Sequence, residues 1–104
     1  MNKVLSFLGL TRKSGNIVIG YNKNMEAVKI GKIKLLIVSP GASQNTRDKF
    51  KGYSERYHVA YIEDFTPDEL GHALGYEGIA VVGVSDQSMA DKIVSMHNSV
   101  KVEE

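Results

Sequence analysis

The chain has 104 residues, 42% of them apolar and 24% charged, with a formal net charge of +1, proportions that suit one globular domain around a single core. A second folded domain is not expected. Cysteine is absent, which excludes a disulfide framework and a thiolate metal centre, and leaves the fold to be held by packing alone. No apolar run is long enough to span a membrane, and no repeat or Pro/Ser-rich linker interrupts the chain. The domain is expected over residues 1–98, with Ser99 to Glu104 as a flexible tail. The composition fits a reducing compartment, and a cytoplasmic location is expected.

The first segment carries Val4, Leu5, Phe7, Leu8 and Leu10, a spacing that predicts a helix with one wide apolar face. A positive charge precedes this run, as in a secretory leader, but the run is short and Thr11-Arg12-Lys13 follows without a small-residue cleavage signal. Ser14-Gly15-Asn16 breaks the helix. Ile17-Val18-Ile19 predicts a short strand that ends in Gly20, and Asn22 is a good N-cap for the helix after it. Met25, Val28 and Ala27 give that helix a buried side, and Gly31 stops it. Leu35-Leu36-Ile37-Val38 is apolar without alternation, as in a central strand covered on both faces.

Ser39-Pro40-Gly41-Ala42 turns the chain, and Ser43 caps a helix running toward Tyr57. Val59-Ala60-Tyr61-Ile62 predicts the third strand. Thr66-Pro67-Asp68-Glu69 combines Thr at the cap, Pro at the first helical position and Glu at the third, a capping box with correctly placed proline. That helix runs to about Leu74, with Gly75 at its end. Ile79 to Val84 predicts a fourth buried strand, and Ser85-Asp86 caps a last helix whose Met89, Ile93, Val94 and Met96 face the core. Alternating helices and strands predict a three-layer α/β/α sandwich around a central four-stranded mixed sheet.

Charge is divided unevenly along this order. From Met1 to His58 eleven basic residues stand against three acidic ones, and from Val59 to Glu104 two stand against nine. Two solvated faces that balance for solubility would produce this, and so would a basic surface that meets a polyanion.

Catalytic chemistry needs a nucleophile beside a base, a carboxylate pair or clustered metal ligands, and none stands out. His58, His72 and His97 are dispersed without a second ligand at helical spacing, so surface imidazoles are expected and no metal or other cofactor. Asp68-Glu69 is explained by its cap, and Glu63-Asp64 reads as a solvated turn. Gly71 to Gly78 contains no phosphate-loop pattern. Ser39 to Ser43 could aim backbone donors at an anion, but a plain turn accounts for it. A phosphate-accepting signalling domain would carry acids at the ends of its first and third strands, where this chain has Ile19-Gly20 and Ile62-Glu63. No enzyme activity and no small-molecule substrate are expected.

Gly20-Tyr21-Asn22-Lys23-Asn24 remains, a strand-to-helix junction rich in donors. Free amides at a helix start favour phosphate, Asn can pair with base edges, and Tyr21 can stack on an unpaired base. Equally, Asn22 could only cap, Lys23 be solvated and Tyr21 pack. Both readings stay open on the residues alone.

The order of blocks resembles the kink-turn RNA-binding ribosomal protein superfamily, which includes archaeal protein seven-Ae and eukaryotic protein thirty-e of the large subunit, and within it a bacterial YlxQ-like branch. The resemblance spans nearly the whole chain, through Leu8-Gly9-Leu10, Gly20, Gly31 to Val38, Ala42 to Thr46, Leu70-Gly71-His72-Ala73-Leu74-Gly75 and Ser85-Asp86-Gln87. It implies a non-catalytic protein that binds structured RNA, with ribosomal RNA as one candidate. In the family a Gly-Thr-Asn-Glu-like stretch opens the second helix and reads sheared G·A pairs. Gly20 and Asn22 fall on its glycine and asparagine, Tyr21 stands where Thr or Ser is usual, and Lys23 replaces the acidic or amide residue. Glu26 stands where many archaeal members carry Lys, while Lys29 and Lys32 keep the helix and its end basic. A second contact, the loop after Leu-Gly-x-Ala-x-Gly, places Tyr76 at the family's apolar position and retains Glu77, with Gly78 where a branched apolar residue is common. The implied RNA-binding set is Gly20, Tyr21, Asn22, Lys23, Asn24, Lys29, Lys32, Tyr76 and Glu77. A monomer with no membrane partner is expected. A protein-interaction module of the same fold without RNA binding is the alternative.

Overall fold

Local capping starts most of the helices. The computed structural model describes residues 2–103, with side chains through residue 99. Asn2 accepts the Val4 amide at 2.8 Å and opens helix α1 (Lys3–Lys13). Ser43 accepts the Thr46 amide at 3.2 Å and opens α3 (Gln44–Tyr57). Thr66 accepts the Glu69 amide at 3.0 Å while the Glu69 carboxylate accepts the Thr66 amide at 2.9 Å, which completes the expected capping box of α4 (Pro67–Leu74). Asp86 accepts the Met89 amide at 2.9 Å at the start of α5 (Gln87–Glu103). Each of these side chains satisfies a donor that the first helical turn leaves without a backbone partner. The backbone of α5 continues past Ser99; side chains beyond that residue, where the sequence places a tail, lie outside the described residues.

Helix α2 (Tyr21–Lys29) is the exception. Its cap is Gly20, at φ 103° and ψ 165°, with no capping side chain. The helix therefore starts before Asn22, which is not the cap its residue type suggested. The reason is tertiary: the Gly20 amide is tied to the Val81 carbonyl at 3.0 Å, so the chain leaves the sheet and turns helical at once.

The strands are β1 (Ile17–Ile19), β2 (Leu35–Val38), β3 (Ala60–Glu63) and β4 (Val81–Val84), in the order β1-β4-β2-β3. Only β2 and β3 run parallel; β4 is antiparallel to both of its neighbours. The third strand begins one residue later than the sequence suggests, because the Val59 amide and carbonyl are both bonded to Ser54 and close the end of α3. The fourth begins two residues later, because the Ile79 amide is held by the Pro67 carbonyl.

Both faces of the sheet are covered, as the unbroken apolar run of β2 requires. Leu35 and Ile37 join a core beneath α1, α4 and α5, built with Leu8, Leu70, Leu74 and Ile93. Leu36 and Val38 join a second core beneath α2 and α3, built with Val28 and Phe50. The expected three-layer sandwich with a mixed four-stranded sheet is the architecture of the chain.

Layering turns the charge division along the chain into a division in space. The α2–α3 layer, residues 21–58, carries Lys23, Lys29, Lys32, Lys34, Arg47, Lys49, Lys51 and Arg56 against Glu26, Asp48 and Glu55. Most of the acidic residues lie in α4, α5 and their loops on the opposite side. One histidine departs from expectation. His97 is buried, one helical turn from the buried Ile93, and its Nε2 lies 2.8 Å from the Asp64 carboxylate. Glu63-Asp64 is correspondingly not a free turn: Asp64 also accepts the Phe65 amide, and Glu63 accepts the Tyr61 hydroxyl at 2.9 Å beside Arg47.

Candidate nucleic-acid interface

The Gly20 junction is built from behind by Asn24. This side chain is fully buried, and its Nδ2 donates to the Val18 carbonyl at 2.9 Å and to the Gly20 carbonyl at 2.8 Å. It thereby ties the end of β1 to the first turn of α2. It can sit there only because residue 83 has no side chain: a Cβ on Gly83 would lie 2.0 Å from the Asn24 Oδ1. Asn24 is thus a support of the junction and offers nothing to solvent, unlike Asn22 and Lys23, which are exposed in the same turn. With no side chain capping the start of α2, the amides of its first turn lack a partner within the helix, and together with the positive end of its dipole they favour an anion.

The Tyr21 ring does not stand free. It packs edge-on against Phe50, with centroids 5.2 Å apart, and the Lys49 ammonium lies 5.5 Å from its centre. The neighbouring Tyr21 hydroxyl, followed by Tyr53, holds the Lys49 pKa above its ordinary value.

Tyr76 is brought to the same end of the molecule by a tight return of the chain after α4. Gly75 adopts the left-handed conformation at φ 80°, and the Tyr76 amide bonds back to the Gly71 carbonyl at 2.8 Å. A Cβ on Gly71 would come 2.6 Å from the Tyr76 carbonyl oxygen, so the Leu-Gly-x-Ala-x-Gly block owes its first glycine to this close approach. Tyr76 is 48% exposed. The Arg12 guanidinium, from the last turn of α1, lies 5.6 Å from its ring centre and covers one face. Arg12, Ile17, Val18, Ile19, Lys23 and Tyr76 together line an open groove of about 350 Å³.

The site expected from sequence is thus joined in part. Gly20, Asn22, Lys23 and Tyr76 converge on one end of the sheet, and Glu77 is exposed beside Tyr76. Lys29 and Lys32 lie toward the other end of α2; six residues of helix separate Lys23 from Lys29 by about 9 Å along the axis. Arg12 is the residue that sequence reasoning missed. It registered there only as one more charge after the first helix, since nothing local signals that α1 packs beside α4 and so meets Tyr76. Among the described residues no group of three or more His, Cys, Asp or Glu could hold a metal ion.

The sequence and its α/β/α sandwich match a known class. Residues 2–94 match the Ribosomal protein L7Ae/L30e/S12e/Gadd45 family, and the chain belongs to that family. Its relatives place it in the YlxQ-like branch: it is 30% identical over 89 residues to the RNA-binding protein YlxQ of Bacillus subtilis (strain 168), covering 86% of this chain and 89% of that protein. A Bacillus halodurans protein of unknown function superposes with a TM-score of 0.92 at 26% identity, over 94% of this chain and 99% of the other. The Giardia lamblia 15.5kD RNA binding protein shares the fold, with a TM-score of 0.79 at 18% identity over 95% and 85% of the two chains.

Proposed function

We propose that the protein binds structured RNA of the kink-turn type and does so without catalysis. The observation that carries this reading is the groove in which Arg12, Lys23 and Tyr76 meet beside the uncapped start of α2. Each part has a chemical task there. The first amides of α2 and Lys23 take phosphate oxygens, Asn22 pairs with a base edge, and Glu77 accepts from a nucleobase amino group. Tyr76 stacks an extruded base on the face that Arg12 leaves open, so guanidinium, phenol and base form one stack. Membership of a family with RNA-binding relatives supports the same reading. The protein acts as a monomer in the cytoplasm, with ribosomal RNA as a candidate target and no cofactor, small-molecule substrate or membrane partner.

Titrating the protein against a kinked, G·A-containing RNA at several salt concentrations tests this. About four to six phosphate contacts give a log–log slope of roughly −3 to −5. Tyr76→Ala should weaken binding by about 1–3 kcal/mol whatever base fills the bulge, and Tyr76→Phe should nearly preserve it. A protein-interaction module without RNA affinity would bind the kinked RNA no better than a plain duplex.

A further inference from the structure

The groove does not account for the charge on the α2–α3 layer, part of which lies along a row of aromatic rings. Tyr21, Phe50, Tyr53 and Tyr57 form a continuous series, with successive centroids 5.2, 5.5 and 6.1 Å apart. Three of these rings carry a cation. Lys49 lies over Tyr21 at 5.5 Å, Lys29 over Tyr53 at 5.8 Å, and Arg56 over Tyr57 at 5.6 Å. All three cations are exposed, and none has a carboxylate within 4.0 Å among the described residues, where the basic residues with carboxylate partners are Arg47 and Lys51, on Glu63, and His97.

From this we propose that the α2–α3 face is a second contact surface for the same RNA, one that takes the phosphate backbone of a stem flanking the kink through Lys29, Lys49 and Arg56. The proposal rests on the RNA-binding reading above and extends it to a different face of the molecule.

Three features favour phosphate over any other occupant. A cation already lies over each of three rings, and all three cations are exposed, so what the surface offers outward is charge. The rings also restrict the cations: a long flexible side chain held over an aromatic face has less freedom left to lose when it meets a phosphate. Finally, the cations are spread along the surface. Lys49 and Arg56 are seven residues apart on α3, about 10 Å or two turns along one face, which suits a linear polyanion better than a single small anion. The row starts near the groove in the chain: Tyr21, its first ring, is the first residue of α2, two residues before Lys23, which lines the groove.

Like charges gathered on one face repel and weaken the compact state. A polyanion relieves that repulsion. Counterion release from three phosphate contacts then appears as a steeper dependence on salt.

The test compares wild type with the triple variant Lys29→Gln, Lys49→Gln, Arg56→Gln on a kinked RNA that carries a long flanking stem. Loss of three phosphate contacts should make the log–log salt slope shallower by roughly 2–3. Between 50 and 200 mM salt the variant should therefore lose roughly 15- to 65-fold less affinity than wild type. The slope change should be the same on an RNA whose G·A pairs have been replaced, because phosphate contacts carry no sequence information. Trimming the flanking stem should remove the difference between the two proteins. A charge-conserving triple, Lys29→Arg, Lys49→Arg, Arg56→Lys, should restore the wild-type slope, and thermal unfolding of each variant shows whether the fold is intact.

If wild type selects the kinked RNA and the folded glutamine variant keeps the wild-type slope, the second surface is wrong and the groove stands. That is the result expected of a face built to meet an acidic protein. If wild type binds no RNA, both readings fall. A glutamine variant that does not fold hands the decision to single substitutions, each of which should reduce the slope by about one; unchanged slopes would overturn the proposal.

Discussion

Gly83→Ala should unseat the candidate site from inside the protein, without altering any residue that faces solvent. The new methyl would meet the Asn24 Oδ1 at 2.0 Å, the Ile33 Cδ1 at 2.8 Å and the Asn24 Cγ at 3.1 Å. Ile33 ends in a flexible side chain, but Asn24 is pinned by its bonds to the Val18 and Gly20 carbonyls. The amide must leave. Overpacking a core costs about 1–3 kcal/mol, and two neutral hydrogen bonds contribute about 0.5–1.5 kcal/mol each, so Gly83→Ala should destabilise the fold by about 2–6 kcal/mol. Native domains have about 5–15 kcal/mol in all, so a loss at the lower end of the expected cost leaves the variant folded in cool buffer.

Urea unfolding of wild type, Gly83→Ala, Asn24→Ala and the double variant measures this as a cycle. In the Asn24→Ala background the obstruction is reduced to the end of Ile33, and the two hydrogen bonds are already gone. Gly83→Ala should then cost at least about 1 kcal/mol less than it does alone, a coupling within the range seen for residues in contact. RNA affinity of the folded single variant should fall as well, because the Gly20 carbonyl and the first turn of α2 lose their anchor. Additivity within about 0.5 kcal/mol would refute the account of Asn24 as the support of the junction.

Asn22→Ala should change unfolding stability by no more than about 0.5 kcal/mol, as expected for a surface position that caps nothing, while reducing affinity for kinked RNA more than for plain duplex; a stability loss near 1 kcal/mol would restore Asn22 as a cap. Arg12→Ala should weaken RNA binding most where an unpaired base is present, since its guanidinium backs the Tyr76 ring; equal loss on a bulge-free duplex would reduce Arg12 to a general phosphate contact. Hydrogen bonds from the Met89 amide and the Ser88 hydroxyl hold the Asp86 pKa below its ordinary 3.8. A depressed folded pKa means that Asp86 stabilises the start of α5 above the unfolded value and that this is lost as pH falls through the folded one. The Met89 amide proton resonance should therefore titrate with a midpoint below 3.8, and a midpoint at or above that value would exclude the cap.

Features that depend on neighbours along the chain were legible in the sequence. The Thr66 capping box, the Ser43 and Asp86 caps and the unbroken apolar run of Leu35 to Val38 each follow from residues within one or two turns of each other, and all stand in the structure. The same locality explains the misreadings. Asn22 is a good cap by residue type, yet the helix begins at Tyr21 because Gly20 is bonded to Val81 in a distant strand. His97 looked like one dispersed imidazole until packing set Asp64 against it.

The sequence by itself determined the order and type of the elements, the caps, the two-sided burial of β2 and the uneven division of charge along the chain, because hydrophobic period and terminal hydrogen bonding act over a few residues. Tertiary structure alone decided that β4 lies between β1 and β2, that Asn24 fits over Gly83, and that Arg12 meets Tyr76 beside Lys23. Those contacts join residues far apart in the chain. Their geometry exists only once the helices have docked on the sheet, so no local pattern of residues could record it.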